Sequence, residues 1–98
     1  MRLRLPFKLY RVSGESMLPT YQPDDLLLGC RWGLPHEGDV VVARLDKPLI
    51  KRLHCVQSDG RLWLLGDNAV SSTDSRQFGA VSADAVQAVI IAKLASFR

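Results

Sequence analysis

The sequence predicts a small, mainly β domain built on an antiparallel sheet of the coiled or barrel-like kind. Three observations support this prediction. Apolar and polar residues alternate over several segments, short runs rich in valine and leucine are bounded by turn residues, and an Asp-Gly pair separates two such runs. At 98 residues the chain has the size of one domain, so we expect a single domain over residues 1–98.

The first half of the chain predicts three strands. Phe7–Val12 alternates apolar and polar residues, as a half-buried strand does. Leu26–Cys30 and Asp39–Leu45 are short apolar runs that follow Pro23-Asp24-Asp25 and His36-Glu37-Gly38. Both preceding clusters consist of residues that favour turns. The turns and runs together indicate short strands, between which the chain reverses direction within a few residues.

The second half predicts a hairpin, a loop and a closing strand. Pro48–Val56 and Arg61–Gly66 flank Ser58-Asp59-Gly60, whose Asp-Gly pair favours a tight hairpin. Residues 68–79 are polar and are predicted to form a long loop, and long loops in compact domains are often functional. Val86–Leu94 is interpreted as the closing strand, with a helix as the alternative.

Composition and charge exclude several classes of protein. Hydrophobic residues make up 47% and charged residues 23%, which is typical of a globular chain and excludes a disordered one. No apolar run approaches the roughly 20 residues of a membrane span, and no signal peptide is visible. We therefore expect a cytoplasmic protein without an integral membrane segment. The net charge of +3, spread along the chain, argues against nucleic acid as a partner.

Neither the basic N-terminus nor the cysteines indicate a site. The first eleven residues carry Arg2, Arg4, Lys8 and Arg11, which are expected to favour solubility, with contact to anionic lipid or a partner as the alternative. The two cysteines show neither a metal-ligand spacing nor a Cys-x-x-Cys pair, so we expect reduced thiols and no metal site.

Ser16 is the first candidate for chemistry. It follows a predicted strand and lies between Gly14 and Pro19, where the chain turns and a hydroxyl can project outward. A serine hydroxyl is a poor nucleophile until a base removes its proton. The usual base is histidine, but His36 and His54 lack a recognisable triad context.

Lys51 is the other candidate base. Strand alternation places it between Leu49 and Leu53 on one face. If that face points inward, burial disfavours the ammonium and lowers the pKa of Lys51, so that a neutral amine could accept the Ser16 proton. Alternation alone favours the other possibility, an exposed lysine paired with an acid, because lysines commonly keep their charge in water.

Four segments, taken in order, resemble the boxes of the type I signal peptidase family of Ser/Lys proteases. They cover most of residues 12–81. The boxes are Gly-Glu-Ser-Met-Leu-Pro-Thr at 14–20 for the nucleophile, Asp-Val-Val-Val-Ala at 39–43 for the preceding strand, Ile-Lys-Arg-Leu at 50–53 for the base, and Gly-Asp-Asn at 66–68 with Ser-x-Asp-Ser-Arg at 72–76.

The resemblance implies a serine endopeptidase with a Ser/Lys dyad and no cofactor. Ser16 would be the nucleophile, its backbone N–H would contribute to the oxyanion hole, and Lys51 would be the general base. Ser72 would orient the lysine amine. The other residues would shape or support the site: Gly14, Met17 and Pro19 in the nucleophile loop, Gly66, Asp67 and Asn68 below it, and Asp74 with Arg76 as an ion pair. Many members carry a serine at the position of Gly14 as a second oxyanion donor.

Within that family the compact sequence is most similar to the nickel-type superoxide dismutase maturation proteases. Membrane-bound signal peptidases carry anchors and a large apolar surface, and the sequence indicates neither. The similarity extends to Asp-Ser-Arg-x-Phe-Gly-Ala-Val at 74–81 and to the basic end at 96–98. It implies a precursor protein as partner, nickel superoxide dismutase, from which an N-terminal extension is removed. Nickel would then belong to the substrate.

Three alternatives stay open at this point. A self-cleaving regulatory domain of the LexA or UmuD type shares the predicted fold and dyad. The chain contains neither the Ala-Gly nor the Cys-Gly bond that such domains cut, and it has the third box that they lack. The second alternative is a signal peptidase that works at the membrane with an anchored partner. The third, an inactive binding domain, is disfavoured because Ser16 and Lys51 are both present.

Overall fold

The structure, a computed structural model, describes residues 5–97 and contains one six-stranded antiparallel sheet. The strand order is β1-β2-β6-β3-β4-β5, and each neighbouring pair is antiparallel. The strands are β1 (Phe7–Arg11), β2 (Leu26–Cys30), β3 (Val40–Arg44), β4 (Pro48–Val56), β5 (Leu62–Leu65) and β6 (Val86–Ala95). The mainly β prediction is therefore confirmed. Arg2 and Arg4 of the basic N-terminus lie outside the described residues.

The polar segment after β5 is more structured than predicted. It contains a 3₁₀ turn at Ala69–Ser71 and a short helix, α1, at Ser75–Phe78. Helix α1 begins with a capping box: the Asp74 carboxylate accepts the Arg76 N–H, and the Gln77 side chain accepts the Asp74 N–H. Such a box satisfies N–H groups that a helix start leaves free. The prediction of a loop throughout 68–79 is wrong, because the capping box starts a helix within this segment.

The closing segment is the strand β6, not the alternative helix. It pairs with β2 on one side and β3 on the other, so its backbone groups are used in two ladders. A 3₁₀ turn at Ala83–Ala85 precedes it, and Ser82 caps that turn by accepting the Asp84 N–H. Residues 5–97 contain no helix long and apolar enough to cross a membrane.

β3 lies between two apolar clusters. Val40 and Val42 belong to one cluster, whereas Val41 and Ala43 belong to the other. Because successive side chains of a strand point to opposite faces, the sheet is covered on both faces at β3. Register shifts in the pairing of β6 with β2 and β3 and of β4 with β5 mark bulges that bend the sheet. β4 pairs with β3, so its residues lie beside this doubly covered strand.

Candidate active site

Ser16 and Lys51 line the same cavity, which has a volume of about 570 Å³. Three parts of the chain form its walls: the end of β1 with the loop that follows, the hairpin between β3 and β4, and the segment after β5. The first wall includes Gly14 and Met17, and the third includes Phe78. The structure thus brings together residues that are 35 positions apart in the sequence.

The loop that carries Ser16 is anchored where β1 ends. The Val12 N–H donates to the Asp25 carbonyl at 2.9 Å, and the Val12 carbonyl accepts the Asp24 N–H at 2.8 Å. Gly14 then has a φ of +76°, a left-handed conformation that favours glycine. A Cβ built at Gly14 would meet no atom within 4 Å, so the requirement for glycine here comes from the backbone and not from crowding.

Met17 fixes the position of the residue next to it, Ser16. Its side chain is 1% exposed and belongs to the cluster around Val12 and Leu27, and it also borders the cavity. Its carbonyl accepts the Tyr21 N–H at 3.0 Å, and Pro19 follows a cis peptide bond. Met17 is therefore both a core residue and part of the cavity wall. The sequence alone does not distinguish between these two roles.

Lys51 is buried, with 4% of its surface exposed. Its ammonium nitrogen lies 3.2 Å from Ser72 Oγ. Burial lowers the pKa of Lys51 below its ordinary value, the Asp74 carboxylate acts in the opposite direction, and the charges of Arg76 and Lys47 lower it further. The possibility of an exposed strand lysine is wrong, because Lys51 faces the same side as the buried Leu53.

Asp74 holds Ser72 in turn. The Asp74 side chain is fully buried, and its Oδ2 accepts from Ser72 Oγ at 2.6 Å, from the Gly66 N–H at 2.8 Å and from Arg76 Nη2 at 2.6 Å. Burial alone would raise the pKa of Asp74. The hydrogen bonds from Arg76, Ser72 and the backbone N–H groups of Gly66 and Arg76 outweigh it and hold the pKa far below the usual range. Asp74 is therefore a carboxylate at physiological pH.

Gly66 lies where the Ser16 loop and Ser72 come closest together. A Cβ built at Gly66 would lie 2.1 Å from Ser72 Oγ and 2.7 Å from the Ser16 carbonyl oxygen. No real Cβ approaches another atom so closely. Only glycine therefore allows Ser72 and the Ser16 loop to take these positions at once.

Asn68 ties the third box to the nucleophile loop. Its backbone N–H donates to the Ser16 carbonyl at 2.8 Å, and its side-chain Nδ2 donates to the Glu15 carbonyl at 3.1 Å. These two bonds act on consecutive carbonyls of the loop. One bond holds the peptide group that carries the Ser16 N–H, through its Glu15 carbonyl, and the other holds the next peptide group.

A second polar cluster on the other face of β4 was missed by the sequence analysis. Arg52 binds Asp67 through two hydrogen bonds of 2.9 and 2.8 Å, and Asp67 Oδ2 also accepts from Thr20 Oγ1 at 2.5 Å. Arg52 Nη1 donates to the Gly38 carbonyl at 2.7 Å. The cluster links the end of the nucleophile loop, the lysine strand and the third box. Alternation places Arg52 on the face opposite Lys51, but it does not identify these partners.

The remaining polar candidates lie away from the cavity or make no hydrogen bond there. His36 and His54 are exposed and do not line it. Within residues 5–97, the Ser16 hydroxyl makes no hydrogen bond, and neither does its backbone N–H. In that same part of the chain, no three His, Cys, Asp or Glu side chains come together as a metal ligand set. The arrangement can supply a hydroxyl, an oriented amine and a free N–H donor to a molecule in the cavity.

Two comparisons with known proteins bear on this site. The family model described as Peptidase S24-like matches residues 6–92. Mitochondrial inner membrane protease subunit 1 of Xenopus tropicalis is 35% identical over an alignment of 97 residues, which covers 70% of this chain and 58% of that protein. The chain therefore spans less than two thirds of the length of this relative.

Proposed function

Because the chain belongs to the Peptidase S24-like family, we propose that it is a serine endopeptidase in which Ser16 is the nucleophile and Lys51 the general base. The observation that carries the proposal is the buried Lys51 amine, which is bound to Ser72 and shares a cavity with Ser16. A lysine held in this way is deprotonated more easily than one in water, and a neutral amine can accept a proton from a serine hydroxyl.

The reaction would proceed in two stages. Neutral Lys51 accepts the Ser16 proton while Oγ attacks the peptide carbonyl carbon, and the Ser16 N–H donates to the resulting oxyanion. The C–N bond then breaks, Lys51 gives its proton to the leaving amine, and an ester on Ser16 remains. In the second stage Lys51 accepts a proton from water, the hydroxide attacks the ester, and the proton returns to Ser16.

Gly14 takes the place of the serine that supplies a second oxyanion donor in many members of the signal peptidase family. Gly14 has no hydroxyl, and its left-handed φ of +76° disfavours a side chain at that position. The backbone N–H of Ser16 is the donor that we assign to the oxyanion. Its freedom from other hydrogen bonds within residues 5–97 supports this assignment.

The substrate that we propose is a precursor protein with an N-terminal extension, nickel superoxide dismutase. The support for this choice is the resemblance of the boxes, and of Asp-Ser-Arg-x-Phe-Gly-Ala-Val at 74–81, to the maturation proteases of that enzyme. The cytoplasmic location stays a prediction. A self-cleaving regulatory domain is disfavoured because such domains lack the third box, whose Ser72 hydroxyl lies 3.2 Å from the Lys51 nitrogen here.

The test is co-expression with a nickel superoxide dismutase precursor, whose N-terminus is read by intact mass. Wild type should remove the extension, whereas Ser16→Ala and Lys51→Ala should not. Ser58→Ala and Lys8→Ala, two exposed positions away from the cavity, are the matched controls and should process normally. Processing by Ser16→Ala would overturn the proposed nucleophile. An uncut precursor beside folded wild type would overturn the proposed substrate.

A second candidate function, cleavage at a membrane surface with an anchored partner, is favoured by one observation. Phe7 and Leu9 on β1 and Ile91 and Leu94 on β6 are each about half exposed. β1, β2 and β6 contain three basic residues and no acidic one. Sedimentation with anionic vesicles should then fall in a Phe7→Ser/Leu9→Ser variant. Equal sedimentation of the two proteins would count against this function.

A further inference from the structure

The third wall of the cavity lies on the same side as the base. Ser71, Thr73 and Phe78 all line the cavity, and all belong to the segment after β5. Ser72, between the first two, carries the hydroxyl that the Lys51 amine contacts. The residues on either side of Ser72 therefore border the space next to the Lys51 nitrogen.

The leaving amine must come to this same space. In the proposed mechanism, on which this inference rests, the Lys51 ammonium gives its proton to the nitrogen of the cleaved bond. That transfer requires hydrogen-bond distance between the two nitrogens. The residue that follows the cleaved bond is attached to the leaving nitrogen, so its side chain comes within reach of the third wall.

Phe78 is the large apolar side chain of that wall. It is 37% exposed, an incomplete burial that leaves part of the ring available to a bound chain. Its position is tied to the base, because its N–H donates to the Asp74 carbonyl at 3.0 Å while the Asp74 side chain holds Ser72. The ring is thus carried by the same short helix whose cap orients Lys51.

The cavity is lined by charges of both signs. Glu15 and Asp46 line it together with Arg11, Lys47 and Lys51. Arg76, which precedes Phe78 by two residues in α1, is paired with Asp74. The contact with the Phe78 ring therefore distinguishes this wall: an aromatic or large aliphatic side chain buries apolar area against the ring, and a small side chain does not.

We propose that Phe78 forms a subsite for the residue immediately after the cleaved bond, selecting large apolar or aromatic side chains over small ones. Ser71 and Thr73 border the subsite with uncharged hydroxyls. Phe78 is a specificity-determining residue in this reaction, because it contacts the substrate side chain and not the atoms that react.

The probe is a mixture of peptides from a digested bacterial proteome, with the cut positions read by mass spectrometry. Wild type should cut before Phe, Tyr, Leu and Met in preference to small residues such as Gly and Ser. Phe78→Ala should reduce the aromatic preference about 3- to 10-fold, the range expected for one aromatic contact. The pH dependence of total cutting should not change, because the Lys51 environment is kept.

Phe7→Ala is the matched control, since Phe7 is another half-exposed phenylalanine and does not line the cavity. It should keep the wild-type preference. Phe78→Leu should keep the preference for aliphatic residues and lose the preference for aromatic ones. If circular dichroism shows that Phe78→Ala does not fold, the comparison is made with Phe78→Leu instead. An unchanged preference in the folded Phe78 variants overturns the subsite and leaves the protease intact. Absence of any cutting by folded wild type overturns the proposed function and the subsite with it.

Discussion

The Ser72 hydroxyl lies 2.6 Å from Asp74 Oδ2 and donates its single proton to that carboxylate. Because a carboxylate can only accept, Ser72 must accept from Lys51 and cannot donate to it. The direction of each hydrogen bond from Lys51 through Ser72 to Asp74 is therefore fixed. One N–H of the Lys51 amine is used in this way, and the nitrogen lone pair of its neutral form is left for the Ser16 proton.

Removal of the Ser72 hydroxyl should lower kcat without much change in KM. Ser72→Ala deletes the group that aims the Lys51 amine, and misplacement of a reacting group by about 1 Å can cost on the order of 100-fold in rate. We expect a fall in kcat of about 10- to 100-fold. Steady-state kinetics with the unprocessed precursor as substrate would measure it, with Ser58→Ala as the exposed control. A kcat equal to that of wild type would contradict the orienting role.

The pH dependence of activity should follow the lowered pKa of Lys51. The base is active when neutral, so kcat/KM should rise with pH and level off below the ordinary lysine value of about 10.4. The acidic limb of a pH profile of kcat/KM reports this pKa in the free enzyme. A profile that is flat from acid to alkaline pH would exclude a lysine base.

The buried lysine should reduce stability at neutral pH. Folding lowers the pKa of Lys51, so the unfolded chain binds more protons, and stability rises with pH from the folded pKa up to about pH 10.4. Lys51→Met should therefore be inactive and more stable than wild type at pH 7, by about 0.5–2 kcal/mol.

Urea unfolding at pH 7 and above pH 10 would measure this difference. The advantage of Lys51→Met should shrink as the pH rises, because the lysine is then neutral in both states. Arg11→Met, a change at an exposed basic residue, controls for the loss of one positive charge. A difference that is the same at both pH values would show that the ammonium is not the cause.

A methyl group at position 66 should disturb the two halves of the site together. Gly66→Ala would force Ser72 or the Ser16 carbonyl to move, and overpacking of this kind costs about 1–3 kcal/mol. The free energy of unfolding, measured in urea, and kcat should both fall. Gly60→Ala is a useful contrast, because Gly60 has a φ of +86° but open space around it. That change should lower stability and leave the activity of the folded protein unaltered. Wild-type kcat in Gly66→Ala would contradict the close approach.

The pair Arg52–Asp67 should support the geometry of the site without affecting its titration. A double-mutant cycle with Arg52→Gln and Asp67→Asn should give a coupling energy of about 0.5–2 kcal/mol, reduced from that of a buried pair because Arg52 is partly exposed. Each variant should lower kcat while the acidic limb of the pH profile stays in place. A shift of that limb would mean that the pair acts through the charge of Lys51.

Much of the fold could be predicted because alternation and turn residues are local signals. β2 and β4 begin and end at the predicted residues, and alternation places Lys51 on the face of the buried Leu53. The start of α1 could also be predicted, since Asp74 and Gln77 have the spacing of a capping box. The polar composition of residues 68–79 hides that signal, because the same residues are typical of a loop.

The contacts across the sheet could not be predicted in the same way. Asp67 is 15 residues from Arg52 and 47 from Thr20, and a periodic pattern says which face a side chain takes but not which group it meets there. The same holds for Gly66, whose role depends on the close approach of two distant segments. Such pairings follow from the assembled sheet. The resemblance to a known family implied supporting roles for Gly66 and Asp67, whereas Thr20 and Arg52 lie within the boxes and were given no role.

The alternation of side chains along β4 means that an error in its pairing with β3 disrupts both the core and the site. Val41 is opposite Lys51 and Val40 is opposite Arg52, so the two cations are assigned to different faces by one register. A slip of a single residue would send the guanidinium toward Ser72 and the ammonium toward Asp67, and it would also take Leu53 out of its buried cluster. A misaligned molecule would thus lose part of its core and the base of its site in the same step.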